Sequence, residues 1–397
     1  MAIIVSIEGQ LTIEIQRRDA TVSQVHIHST RPMRVASVFE GCTPDEALMR
    51  LPSIYSVCAT AQASAALGAC EQALSREGHR SITQAREMLV LMETAREHLL
   101  RILLDWPAFL HEPFDRDILP QVTGLQPRLA RALFGTASPF TMDSHPMIDH
   151  GEVELVVGEL HDLIVKVLGD GGEDVPMPMQ SVTALDEWMD KGEVMSARLL
   201  RHVRDRGWTS IGHCDQPFLP VLEESALHQR FTAVDAGIFV AAPCWEGRSH
   251  ETTPLGRQRE QHLVQEMLAA HGNGLLTRLT ARLVELSSIP IHLHASIGEL
   301  EPDVMGRYQS EPVHRTGIGL AQVEAARGRL IHRVEIEDGV IRRYQILAPT
   351  EWNFHPRGAV ARGLLTIDAS DERILRQQTD LLINAVDPCV GYELLVH

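Results

Sequence analysis

Ala385-Val-Asp-Pro-Cys-Val-Gly-Tyr-Glu-Leu-Leu-Val-His397 closes the chain, and the rest of the sequence is best understood from it. A cysteine directly after Asp387-Pro388, just behind an amphipathic segment, is not ordinary tail chemistry. Residues 371 to 386 carry Ile374, Leu375, Leu381, Leu382 and Ala385 at helical spacing. That helix must stop near Val386, because a proline disfavours the helical conformation in the residue before it. The candidate partner of Cys389 lies far upstream, in Ser53-Ile-Tyr-Ser-Val-Cys-Ala-Thr-Ala-Gln62.

Working outward, the chain has 397 residues and 44% hydrophobic content, enough for a substantial core in one large domain or two. With 36 Lys+Arg against 53 Asp+Glu the formal charge is -17, which repels the phosphates of nucleic acid and anionic lipid. Nucleic acid is thereby excluded as the main partner. No window approaches the roughly 20 apolar residues of a membrane span, and the N-terminus lacks the basic and apolar regions of a signal peptide, so the expected compartment is the cytoplasm. The six cysteines (42, 58, 70, 214, 244 and 389) include no Cys-x-x-Cys pair, which argues against a zinc finger, a thioredoxin-type motif or a disulfide framework.

The alternation of Ile3, Val5, Ile7, Leu11, Ile13, Ile15, Val22, Val25 and Ile27 predicts an N-terminal hairpin turning at Arg17-Arg18-Asp19. Residues 54 to 74 form an Ala-, Ser- and Gly-rich helix that neighbouring backbones can approach closely. Ser81-Ile-Thr-Gln84 matches a capping box opening a helix that runs to about Asp105 and ends at Trp106-Pro107. Met88 and Met92 on it are packing residues, since a thioether stripe at this spacing is what a helix core uses. Helices are also expected over 125–133, 152–167, 185–206, 257–271 and 274–288, with 170–178 an exposed loop. The periodicity changes to two from Arg329, and Asp338-Gly339 supplies the turn of a second hairpin. The whole reads as α+β: a mainly helical core with small N-terminal and C-terminal antiparallel sheets and no clean boundary over 1–397. Cys42, Cys70, Cys214 and Cys244 are expected to be structural, with His213-Cys214 the next candidate for a third metal ligand.

Several stretches together resemble the large subunit of nickel-iron hydrogenases. Ile7-Glu-Gly-Gln-Leu-Thr-Ile-Glu14 resembles that family's opening strand, and Ile54-Tyr-Ser-Val-Cys-Ala is similar to its Arg-x-Cys-Gly-x-Cys motif. His250-Glu-Thr-Thr-Pro-Leu-Gly-Arg257 looks like its Gly-Pro-Leu-Ala-Arg, and Glu324-Ala-Ala-Arg-Gly-Arg-Leu-Ile-His332 like its Glu-Ala-Pro-Arg-Gly-x-Leu-x-His. Pro349-Thr-Glu-Trp-Asn353 and Asp387-Pro-Cys389 match Pro-Thr-x-Trp-Asn and the start of Asp-Pro-Cys-x-x-Cys. The matches follow the family's order from end to end. The departures are as informative: each two-cysteine motif retains one, with Tyr55 and Tyr392 at the other positions, Gln62 where the family has histidine, and Gln10 in the opening strand.

By position, the resemblance implies that Cys58 matches a cysteine bridging nickel and iron and Cys389 one binding nickel terminally. Four thiolates serve two metals in that family; two cannot sustain the bimetallic geometry, and tyrosine is a hard donor poorly matched to nickel. Two thiolates can hold one iron that carries cyanide and carbon monoxide, with no nickel expected. Arg327 resembles the family arginine beside the cyanides, and it could equally satisfy helix carbonyls or Glu324. The combination resembles accessory proteins of the HupK/HoxV type, which implies one truncated large-subunit-like domain over 1–397 without a cleavable C-terminal extension. The implied role is a non-catalytic scaffold for the iron-cyanide-carbonyl group. The implied partners are maturation proteins of the HypC and HypD type and a hydrogenase large subunit. The alternative is a metal-free chaperone that mimics the large subunit.

Overall fold

The computed structural model describes residues 9–31, 35–76, 80–169, 180–300 and 314–397. The expected strand positions Ile3, Val5 and Ile7 and the loop 170–178 lie outside them. Helices dominate, with two three-stranded sheets at the periphery, as the α+β expectation requires.

In the first sheet β1 (Leu11–Arg18) and β2 (Thr21–Ser29) form the expected hairpin, with Ile13 opposite Ile27. Asp19 turns the chain with φ 56°. Leu11, Ile13 and Ile15 point inward and are buried, while the residues between them face out, which is the period of two read from the sequence. The sheet is not purely antiparallel. The tail forms β6 (Tyr392–Val396), which pairs parallel to β1 from Leu11 opposite Tyr392 to Ile15 opposite Val396. Both ends of the described chain are thus joined in one mixed sheet, and Cys389 stands three residues ahead of the strand that anchors it.

The second sheet is antiparallel in the order β3 (Gly317–Ala325), β4 (Gly328–Glu337) and β5 (Val340–Leu347). Asp338 and Gly339 have φ of 52° and 78° in the turn the Asp-Gly pair demands. Helix Ala59–Ala73 lies against β3, and the small residues explain how closely: a Cβ on Gly319 would stand 1.9 Å from the Ala69 carbonyl oxygen, and one on Gly317 2.0 Å from that of Ala73. The backbone that approaches this helix is therefore a strand. Gly319→Ala should destabilise the chain at or beyond the upper end of the ~1–3 kcal/mol typical of overpacking, read as a lower chemical-denaturation midpoint.

The helical core packs Arg80–Leu100, Leu119–Phe134, His150–Leu168 and Leu275–Ile297 around Met88, Met92, Leu99, Leu283 and Leu286. Several boundaries differ from expectation; helices Leu119–Phe134 and Leu275–Ile297 are longer than expected, and four other differences have a local physical reason. Ser81 lies inside the first of these helices, and Gln84 donates to Ser296 Oγ at 2.7 Å instead of reaching back to a cap. The helix does not end at Trp106-Pro107: a π turn, Arg101–Asp105, leads into Trp106–Phe109, where the proline occupies a first-turn position that needs no N–H. The segment 185–206 is two helices, Val182–Lys191 and Met195–Asp205, broken at Gly192, where a Cβ would stand 2.6 Å from the Trp188 carbonyl. Arg201 caps the broken end by donating to the carbonyls of Met189, Asp190 and Gly192. Residues 257–271 likewise split into Pro254–Gln258 and His262–His271, the latter ended by Gly272 at φ 60°. No helix among the described residues is long and apolar enough to cross a membrane.

Candidate metal centre

Cys58 does not lie within the Ala-rich helix but at its N-cap, with φ −125° and ψ 47°, and its side chain makes no capping bond. The cap comes from another element. Glu93, buried on helix Arg80–Leu100, accepts from the backbone N–H groups of Thr60 at 2.8 Å and Ala61 at 2.9 Å. A carboxylate at a helix N-terminus satisfies the orphan donors and complements the dipole. The Cys58 sulfur is thereby released from capping.

Cys389 reaches the same place from the other end of the chain. Helix Glu372–Val386 stops at Asp387, which takes the left-handed conformation (φ 63°, ψ 88°). That geometry is one of the few open to a residue before proline that must also end a helix. The backbone N–H of Cys389 then donates to Thr350 Oγ1 at 3.2 Å, and its thiol hydrogen-bonds with that of Cys58. Both cysteines are buried and free of disulfides.

The two thiols drive each other in opposite directions. The hydrogen bond from Cys58, followed by Arg327, Arg31 and the Thr350 hydroxyl acting against burial, brings Cys389 down to about 6. The same bond, burial, the Cys389 charge and Glu93 push Cys58 well above the ordinary thiol range. Cys389 is therefore the thiolate and Cys58 its donor. Thiolate absorbance should accordingly rise with a midpoint near pH 6. Cys389→Ala should abolish that step and Cys58→Ala should move it toward the ordinary range. In linkage terms the depressed thiol contributes fully above its unfolded value, and that contribution is lost as pH falls through about 6.

Arg327 occupies the β3–β4 turn. Its two Nη atoms donate to Glu97 Oε2 at 3.1 Å, and its Nε stands 3.3 Å from Asp387 Oδ1. It satisfies neither helix carbonyls nor Glu324, which pairs with Arg329 at 2.5 Å and Arg257 at 3.6 Å. Against burial, Asp387, Cys389, Glu97 and Cys58 hold its guanidinium charged. Its Nε makes no directed hydrogen bond, so this buried guanidinium has donor capacity left beside the sulfurs. The turn is held by its neighbours: Asn353 Nδ2 donates to the Arg327 carbonyl at 3.0 Å, the Thr252 N–H donates to Asn353 Oδ1 at 2.8 Å, and the Arg329 N–H donates to Thr252 Oγ1 at 2.9 Å. Motifs spread over more than a hundred residues thus converge on one point.

Other groups were not singled out by the sequence. Arg31, just after β2, pairs with Glu351 at 3.0 Å; against burial, that carboxylate and the Cys389 sulfur hold it charged. Its only sequence signal was its place before Pro32. Asp387 gathers Arg101 from the π turn at 3.2 Å and Arg282 at 3.8 Å besides Arg327. A cavity of about 880 Å³ is lined in part by Arg31, Tyr55, Thr350 and Glu351; neither sulfur lines it, but Thr350, which accepts from the Cys389 N–H, and Arg31 do.

The remaining candidates lie elsewhere. Tyr392 donates to Asp380 Oδ1 at 2.9 Å. His213 Nδ1 meets Asn273 Oδ1 at 2.9 Å, and Cys214 bonds the Ala359 carbonyl at 3.6 Å, so both serve loop packing. Among the described residues no group of three or more His, Cys, Asp or Glu side chains is placed to hold a metal ion.

A model of the nickel-dependent hydrogenase family matches residues 234–390. The fold resembles the anaerobically purified [NiFeSe]-hydrogenase of Dm. baculatum, with a TM-score of 0.71 at 16% identity over 96% of both chains. The [NiFeSe]-hydrogenase of D. vulgaris Hildenborough gives 0.67 at 15% over 94% of both. Among curated proteins, the hydrogenase expression/formation protein HupV of Azotobacter chroococcum is 30% identical over 98% of both chains. HupK of Azotobacter vinelandii is 30% identical over 98% of this chain and 99% of its own, and HoxV of Cupriavidus necator 29% over 92% and 91%. At this identity over almost the full length of both partners, the chain belongs to the HupV/HupK family of hydrogenase expression/formation proteins, carried on a hydrogenase fold.

Proposed function

We propose that the chain is a non-catalytic accessory protein of nickel-iron hydrogenase maturation that carries an iron-cyanide-carbonyl group on Cys58 and Cys389 before its transfer to a hydrogenase large subunit. The observation that supports this most is the thiol pair itself: two buried sulfurs free of disulfides that shift each other's acidity, with Arg327 and Arg31 beside them and no third ligand among the described residues. Two soft donors match a low-spin iron whose other positions are filled by small ligands, and they leave it releasable. The guanidinium of Arg327, held charged beside the sulfurs, suits the nitrogen ends of cyanides. Loading removes the proton that stays on Cys58, whose thiol the Cys389 contact, burial, the Cys389 charge and Glu93 hold above the ordinary range, so loading favours the neutral-to-alkaline side.

The cavity lined by Arg31, Tyr55 and Thr350 is the route by which the group enters and leaves. Donors and acceptors are maturation proteins of the HypC and HypD type and the large subunit, met in the cytoplasm. The resemblance to a hydrogenase over nearly the whole chain would also serve a metal-free mimic of the large subunit. Complementation of a strain lacking this gene separates the two. The Cys58→Ala/Cys389→Ala protein should accumulate normally yet leave the hydrogenase unmatured, whereas full rescue by that double variant would establish the mimic and overturn the carrier.

A further inference from the structure

A line of buried hydrogen bonds runs away from Cys58. Gln62 Nε2 lies 3.7 Å from Cys58 Sγ, His332 Nε2 lies 2.8 Å from Gln62 Oε1, and His332 Nδ1 lies 2.9 Å from the Tyr344 hydroxyl. None of these side chains reaches solvent to any extent: Gln62 is 1%, His332 0% and Tyr344 4% exposed. Neighbouring strands hold the last two, His332 on β4 and Tyr344 on β5, with their rings edge to face at 5.7 Å. Phe39 packs against the far face of Tyr344 at 5.2 Å.

The direction of every bond follows from how the Gln62 amide is placed. Its Nε2 faces the Cys58 sulfur, which accepts, and its Oε1 faces His332. That oxygen can meet only a donor, so His332 carries its hydrogen on Nε2 and leaves Nδ1 as an acceptor. The only group facing Nδ1 is the Tyr344 hydroxyl, which must donate. A doubly protonated ring would leave Tyr344 facing a second donor, and burial, which lowers His332 to about 3, keeps the ring neutral. A metal-bound Cys58, having no proton, demands the same polarity.

We infer that His332 and Tyr344 are positioning residues that lock the Gln62 amide with its N–H on the Cys58 sulfur, so that the sulfur faces a donor before and after the metal group binds. A donor on a ligating sulfur withdraws electron density from it and hence from the metal. Resting on the carrier role proposed above, this makes the Gln62 line the element that sets how tightly Cys58 holds its cargo. An amide in this position can present either face. Tyr344, two bonds further back, makes the choice.

Two measurements test this, and the first needs no metal. In the apoprotein with ¹⁵N-labelled histidine, long-range ¹H–¹⁵N spectra should show His332, assigned by its loss in His332→Gln, as the neutral Nε2–H tautomer, with Nδ1–H appearing in Tyr344→Phe. A wild-type ring protonated on Nδ1 overturns the inference. In iron-loaded protein the carbonyl band should shift to lower wavenumber in Gln62→Met and in Tyr344→Phe, and Tyr344→Phe should add nothing in the Gln62→Met background. A band unmoved by Gln62→Met also overturns it. Absence of any carbonyl band in the wild type would instead overturn the carrier role, and the tautomer would still decide the positioning role.

Discussion

Asp387→Asn is expected to cost about 3–5 kcal/mol of folding stability, the range for removing one partner from a buried ionic cluster. Asp387 is buried at the centre of Arg327, Arg101 and Arg282. Burial favours its neutral form, yet Arg327 first, then Arg101 and Arg282, hold it below the ordinary carboxylate range. Without the charge, the buried guanidiniums of Arg327 and Arg282 and the part-exposed one of Arg101 face one another, with only Glu97 and Asp105 left beside Arg327 and Arg101. Arg282 is already close to that limit: burial outweighs Asp387, and Arg101 and Arg327 repel it, bringing it down to about 10. Asparagine tolerates the left-handed conformation that Asp387 adopts, so the loss isolates the charge from the turn.

The sign with pH is fixed by the same shift. A carboxylate with a depressed native value contributes its stability in full above its unfolded value, and the contribution is lost as pH falls through the native one. Urea midpoints measured from neutral to acidic pH should therefore converge for wild type and Asp387→Asn at the acid end. A variant as stable as wild type at neutral pH would show that the arginines are compensated elsewhere.

Much of this arrangement is legible in residues that act locally. Pro388 stops the last helix and sends Asp387 left-handed, and Asp338-Gly339 turns the second hairpin; each needs only its neighbours. The Cys58–Cys389 pairing spans over three hundred residues and emerges from ordered motifs, not from periodicity. What escaped depends on partners that no local pattern names. A five-residue tail pairing parallel to β1 has no signal in its own sequence. The Glu93 cap is invisible because the carboxylate belongs to another helix, and its effect is to move Cys58 from inside a helix to its end. Arg327 was placed between helix carbonyls and Glu324, while its partners Glu97 and Asp387 are distant in sequence. Tyr55 and Tyr392, alike as replacements for cysteines, part company: Tyr55 borders the cavity beside the thiols, and Tyr392 is tied to Asp380.

The second large effect falls on the cargo. If the proposed carrier role holds, loss of either sulfur leaves the iron group a single bond to the protein. Cys389→Ala removes the sulfur that is already ionised and held by Arg327, Arg31 and Thr350. Cys58→Ala removes its partner and the end of the Gln62 line. Each should abolish retention of the group, while Cys214→Ala, whose sulfur bonds the Ala359 carbonyl and the Asn273 amide away from the thiol pair, should retain it. Infrared spectroscopy with metal analysis on anaerobically purified protein is the most direct measurement. Cyanide and carbonyl stretching bands with iron and without nickel, present in wild type and Cys214→Ala and absent in Cys58→Ala and Cys389→Ala, are the expected result; bands that survive loss of both Cys58 and Cys389 would contradict it.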